Sequence, residues 1–115
     1  MRKIEQQMIA AIRENRDWKC DNTEVIYNPE TGWSHVYLHG NHIATVDDTS
    51  VTIWDGGYQS STTKSRLNAI CGAFCIQGEG IFQRNFKWFV HQFVAQAGTS
   101  PVFVEKEFSN GFVFA

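Results

Sequence analysis

The feature that most limits what this chain can fold into is a change of hydrophobic period. Between residues 23 and 54 the apolar positions stop recurring at helical spacing and alternate instead, in four short runs at 24–27, 34–38, 42–46 and 51–54. Turn signals separate the runs: Pro29-Glu30-Thr31-Gly32, Gly40-Asn41 and Asp47-Asp48-Thr49-Ser50. Parallel pairing needs a crossover of about a dozen residues or more, and no connection here has room for one. The runs therefore predict an antiparallel four-strand meander. Val36 and Leu38 alternate with His35, Tyr37 and His39, so one face is apolar and the other mixes polar and aromatic groups.

Helical patterns flank this stretch. Residues 2–15 place Ile4, Met8, Ala11 and Ile12 on one stripe and Arg2, Lys3, Glu5, Arg13 and Glu14 outside it, until Asp21-Asn22 breaks the pattern. A second helix is expected over residues 62–74, with Ser61 or Thr62 as N-cap. Its stripe, Leu67, Ile70, Cys71 and Phe74, packs on the sheet, and Gly78-Glu79-Gly80 ends the unit. Residues 81–97 read in two ways: as a helix with a Phe86/Phe89/Val90/Phe93/Val94/Ala97 stripe, or as a strand with Phe82, Arg84, Phe86 and Trp88 on one face. β-Branched and aromatic content favours a strand over residues 81–90 and leaves 85–97 open between the two. Residues 102–108 and 112–114 around Ser109-Asn110-Gly111 read as a hairpin, with the apolar C-terminus tied into the sheet. The expected fold is a single α+β domain over residues 1–115: an N-terminal helix, a four-strand meander, a second helix on the sheet, and C-terminal strands.

Composition narrows the function classes. Hydrophobic residues make up 43% of the chain and aromatics 14%, too apolar for a disordered tail, and the apolar runs are too interrupted to span a membrane. The first residues, Met1-Arg2-Lys3-Ile4-Glu5-Gln6-Gln7, lack the apolar core of a signal peptide, so a cytoplasmic location is expected. Ten Lys/Arg against twelve Asp/Glu give a net charge of −2, so any nucleic-acid role must rest on a local basic patch. The three cysteines have no metal-ligand spacing; Cys71 and Cys75, four apart on one helical face, read as small buried hydrophobes kept reduced.

The stretch from Asp55 to Ala69 is the one place prebuilt for an anion. It joins a glycine turn, the hydroxyls of Ser60, Ser61, Thr62 and Thr63, the cations Lys64 and Arg66, and the start of a helix whose N–H groups lack partners. It is no phosphate loop, because the second glycine of G-x-x-x-x-G-K-[ST] falls on Thr63 and no parallel βαβ unit surrounds it. Helix capping alone accounts for the hydroxyls. Elsewhere, Phe82-Gln83-Arg84-Asn85-Phe86-Lys87-Trp88 interleaves aromatics with cations, as single-strand binders do, although an alternating aromatic face is more often a core face. The carboxylates are dispersed, the histidines lack a third ligand, and no nucleophile has an oriented base. The expectation is a protein without catalytic residues, metal or cofactor.

Three segments together, His39-Gly40-Asn41-x-Ile43-Ala44, Thr62-Thr63-Lys64-Ser65-Arg66-Leu67-Asn68-Ala69 and Phe82-Gln83-Arg84-Asn85-Phe86-x-Trp88-Phe89, resemble small, mostly uncharacterised proteins encoded by tailed bacteriophages. The resemblance covers roughly residues 35–90. It implies a phage accessory protein acting in the bacterial cytoplasm, of a kind that often binds host machinery, including defence systems, and it carries no assigned site residues. The leading expectation is a binding protein that blocks or redirects a host protein through Tyr58, Arg66, Arg84, Lys87 and Trp88, residue types that dominate interface hot spots. The second is a nucleic-acid- or nucleotide-binding module using Lys64, Arg66, Arg84 and neighbouring aromatics, and the third a structural phage component. Self-association through the mixed face of the meander stays open.

Overall fold

The computed structural model describes residues 1–115. Its elements run α1 (Lys3–Arg13), β1 (Trp18–Cys20), β2 (Thr23–Asn28), β3 (Trp33–Leu38), β4 (Asn41–Val46), β5 (Val51–Ile53), α2 (Ser61–Phe74), β6 (Gly80–Arg84), β7 (Lys87–Ala97), β8 (Ser100–Glu107) and β9 (Phe112–Phe114). They form the α+β fold expected, with every strand pair antiparallel. One sheet has six strands in the order β1-β2-β3-β4-β5-β9, and a second has three in the order β6-β7-β8.

The meander follows from the turn chemistry. His39 (φ 52°) and Gly40 (φ 78°) both take the left-handed conformation between the paired Leu38 and Asn41, as a two-residue type I′ hairpin requires. His39 is thus a turn residue and does not share a strand face with His35. β1 was not expected from the sequence: three residues are too few to show a period, and Asp21-Asn22 is its hairpin turn into β2.

Both helices lie on the apolar face of the six-stranded sheet. Met8, Ile9, Ala11 and Ile12 of α1 and Leu67, Ile70 and Cys71 of α2 meet Val25, Val36, Leu38, Ala44, Val46, Val51 and Ile53 in one core. Ile81, Trp88, Val90 and Phe108 of the smaller sheet join the same cluster, which makes the molecule a single packed unit. No helix is long and apolar enough to cross a membrane.

Three expectations need correction. Residues 81–97 are strand and not helix, as favoured, but not one strand: Asn85 (φ 51°) and Phe86 (φ 64°) form a tight turn between β6 and β7. The hairpin signal was hidden because the second turn position carries Phe where Gly is the usual occupant. Ser109-Asn110-Gly111 does not close a hairpin either. It carries the chain from the small sheet to the large one, where β9 pairs with β5, and Asn110 Oδ1 accepts the Asp55 N–H at 2.8 Å. The apolar C-terminus is tied into a sheet, but not the one its neighbour occupies. Finally, the N-cap of α2 is Ser60, whose Oγ accepts the Thr63 N–H at 3.0 Å.

Candidate interaction surface

The start of α2 turns inward. Ser65 donates to Glu5 Oε2 at 2.6 Å, and Arg66 donates to the same oxygen at 2.8 Å, to Thr23 Oγ1 at 3.0 Å and to Asn22 Oδ1 at 3.4 Å. Burial alone would raise the Glu5 carboxyl, but the hydrogen bonds from Ser65 and Arg66 and the guanidinium charge hold it below the usual carboxylate range. Arg66 is only 3% exposed, so it is corrected from a surface contact to an internal bolt between α1, α2 and β2. The hydroxyls it follows act as a cap, Ser60 and Thr63 also bonding each other at 2.8 Å. Asn68 completes the segment by pairing with the backbone of Ile81 in both directions, at 2.8 and 2.9 Å, which fastens α2 to the edge of β6. A Cβ at Gly80 would stand 2.7 Å from Asn68 Oδ1, so this close pairing requires glycine there.

Trp88 is likewise interior. Period two puts it on the same face as Ile81 and Val90, at 2% exposure, with its ring edge-on to Phe108 at 5.3 Å between centroids. It is corrected from a binding residue to a core residue. The same alternation sends Arg84 and Lys87 to the opposite face, paired across the β6–β7 turn. The Arg84 guanidinium lies 5.2 Å from the Phe82 ring and 5.7 Å from the Phe89 ring and pairs with Glu105 at 3.0 Å. Lys64 reaches this end from α2, donating to Gln83 at 3.4 Å. Lys64 thus sits at the same hairpin as Arg84 and Lys87 but on its Trp88 face, opposite theirs, whereas exposed Tyr58 lines a small cleft with His39, Asn41, Ser60 and Thr63.

At the hairpin tip stands Phe86, 94% exposed. A bulky residue in the left-handed region is uncommon, and such backbone strain concentrates where function holds it. From the sequence Phe86 reads only as one aromatic of a strand or helix face, because nothing in the residue string marks it as the tip of a turn.

A second surface is the outer face of the six-stranded sheet, which no helix covers. His35 and His42 both bond Thr45 Oγ1 at 2.9 Å, and Trp33, Tyr37 and Trp54 surround them. Burial, reinforced by the neighbouring His35, pulls the His42 imidazole below its usual range. An open hollow of about 460 Å³ at its edge is lined by Tyr37, Asn41, His42, Trp54, Asp55 and Asn110. No group of three His, Cys, Asp or Glu side chains comes together in a metal-holding arrangement.

Comparison with known proteins places the chain by family alone. No curated protein matches it, and no solved structure does. A family model described as Kyanoviridae Gp96 protein matches residues 1–115, the whole of the sequence. The chain therefore belongs to the Kyanoviridae Gp96 family of small proteins from tailed cyanophages.

Proposed function

We propose that this phage protein is a non-enzymatic binding protein that acts in the host cytoplasm, docking on a host protein and inhibiting or redirecting it, with host defence complexes as the target class. The observation that carries the reading is Phe86. A fully presented aromatic ring on a strained two-residue turn, flanked by Arg84 and Lys87, is the form of an interface anchor: rigid, apolar at the centre and charged at the rim. Its partner surface would offer an apolar socket with acidic groups around it.

The second reading, nucleic-acid binding, is favoured by the gathering of Lys64, Arg84 and Lys87 at one end. It loses Arg66 and Trp88, which are enclosed in the fold. One experiment separates the two. Tagged protein is used to capture partners from infected host lysate with and without nuclease, comparing wild type with Phe86→Ala. A discrete host protein that survives nuclease and disappears with Phe86→Ala supports the first reading. Capture that is abolished by nuclease and falls steeply with salt supports the second.

A further inference from the structure

The β7–β8 hairpin continues past the body of the molecule as a bare ribbon. Its base is fixed: Glu79 accepts the Phe93 N–H at 3.0 Å, the His91 ring stacks on Phe103 with centroids 4.4 Å apart, and a Cβ on Gly78 (φ 100°) would come within 2.7 Å of the Phe103 ring. Beyond that base every residue from 94 to 102 is exposed. Val94 is 50% and Val102 39% accessible. The ribbon ends in the two-residue turn Gly98-Thr99, with positive φ only at Gly98, as a type II′ hairpin has. A two-stranded ribbon by itself is marginal in water.

Its chemistry narrows what it meets. No Lys, Arg, Asp or Glu occurs from residue 92 to residue 104, in a chain that is 19% charged. Exposed edges are normally blunted with charge, and here only Pro101 interrupts the edge, by lacking an N–H to donate. Without cations the ribbon has nothing to offer a phosphate backbone. The molecule presents one other surface of the same character. On the outer face of the large sheet, Ile26, His35, Thr45, Thr52 and Val113 form a cross-strand row through β2, β3, β4, β5 and β9, beside Trp33; the row itself is uncharged, and Glu24 with Lys19 lies two residues along at its β1–β2 end. Five strands span about 19 Å, and the ribbon from Phe93 to Gly98 reaches about 17 Å.

We infer that the β7–β8 ribbon of one chain packs across the outer face of the six-stranded sheet of a second copy. Ribbon and row are both uncharged and match in length, and a ribbon laid along the row leaves the Glu24–Lys19 end of the face in water. Ribbon meets face, so the contact is made twice in a two-fold exchange between two chains, or repeats head to tail around a ring. It goes beyond the hairpin-tip reading and does not depend on it, since Phe86 lies at the other end of β7.

Sedimentation velocity of the full chain over a concentration range tests this. Wild type should gain mass with concentration, with little change between about 50 mM and 200 mM salt. Val94→Lys with Val102→Lys should weaken association by roughly tenfold or more without altering the unfolding curve, because both positions are exposed in the single chain. Ile26→Glu with Trp33→Glu should do the same from the face side. Mixing the two variants should restore association in part, above either variant alone, since the face variant's intact ribbon then meets the ribbon variant's intact face. A wild type that stays monomeric throughout, a ribbon variant that still associates, or a mixture that stays apart overturns the inference. The Phe86→Ala variant should associate as wild type does.

Discussion

The start of α2 and the β6–β7 hairpin look alike as strings: each sets cations beside groups suited to a ligand. In the folded chain they are opposites. The side chains of Ser60, Thr63, Ser65, Arg66 and Asn68 in the α2 segment are all bonded within the chain, with Ser65 and Arg66 on Glu5 and Asn68 on Ile81. The hairpin leaves its largest apolar group, Phe86, in water and its backbone strained. One region holds the fold together, and the other bears a cost that the fold does not use. That contrast, rather than residue type, is what identifies a surface worth testing.

The comparison can be broken most sharply at Arg66. If the α2 start is an internal bolt, Arg66→Ala should destabilise the chain by about 3–5 kcal/mol in chemical denaturation, because Glu5 is left buried without its partner. Replacing both partners, Glu5→Leu with Arg66→Met, should recover most of that loss. A cost near zero for the single change would return Arg66 to the surface. Asn68→Ala comes next, at about 1–3 kcal/mol, since the Ile81 N–H and C=O lose their partners together.

The pH dependence sharpens the same point. Glu5 ionises at lower pH in the folded chain than in the unfolded one. Its contribution is therefore complete above the ordinary carboxylate range and lost as pH falls through the depressed folded value. Denaturation midpoints followed from neutral to acid pH should decline there, and less steeply in Glu5→Gln. Asp47, held low mainly by the Thr49 N–H and further by Ser50, acts in the same direction and remains in both proteins.

The hairpin should respond with the opposite sign. Phe86→Gly supplies the residue that a type I′ turn prefers and should stabilise the chain by about 1 kcal/mol, while host-protein capture is lost. A stabilised variant that still captures its partner would remove the reason for keeping Phe there. The smallest effects belong to the rim: Lys64→Ala and Lys87→Ala should each leave stability within about 0.5 kcal/mol, and should lower the salt slope only if the ligand is a nucleic acid.

Much of the architecture was legible because it is set by short-range physics. Alternation over residues 23–54 placed four strands of the large sheet, the Met8–Ile12 and Leu67–Cys71 stripes placed the two helices, and Gly40 marked a turn that the structure contains. The misses have physical reasons too. β1 is too short to show a period. The Asn85-Phe86 turn departs from the preferred Asn-Gly. Ser109-Asn110-Gly111 has turn chemistry that is satisfied equally well by a crossing between sheets.

By itself, then, the sequence determined the two helices and the antiparallel β2–β5 meander, because period and turn propensity act within a few residues. Only the tertiary structure decided which polar and aromatic side chains are enclosed and which are presented. Arg66 and Trp88 are buried because Glu5, sixty-one residues from Arg66, and Phe108, just past the end of β8, arrive to cover them. Phe86 is exposed because nothing does. A side chain's availability for a partner is a non-local property, fixed by what else the fold brings near it.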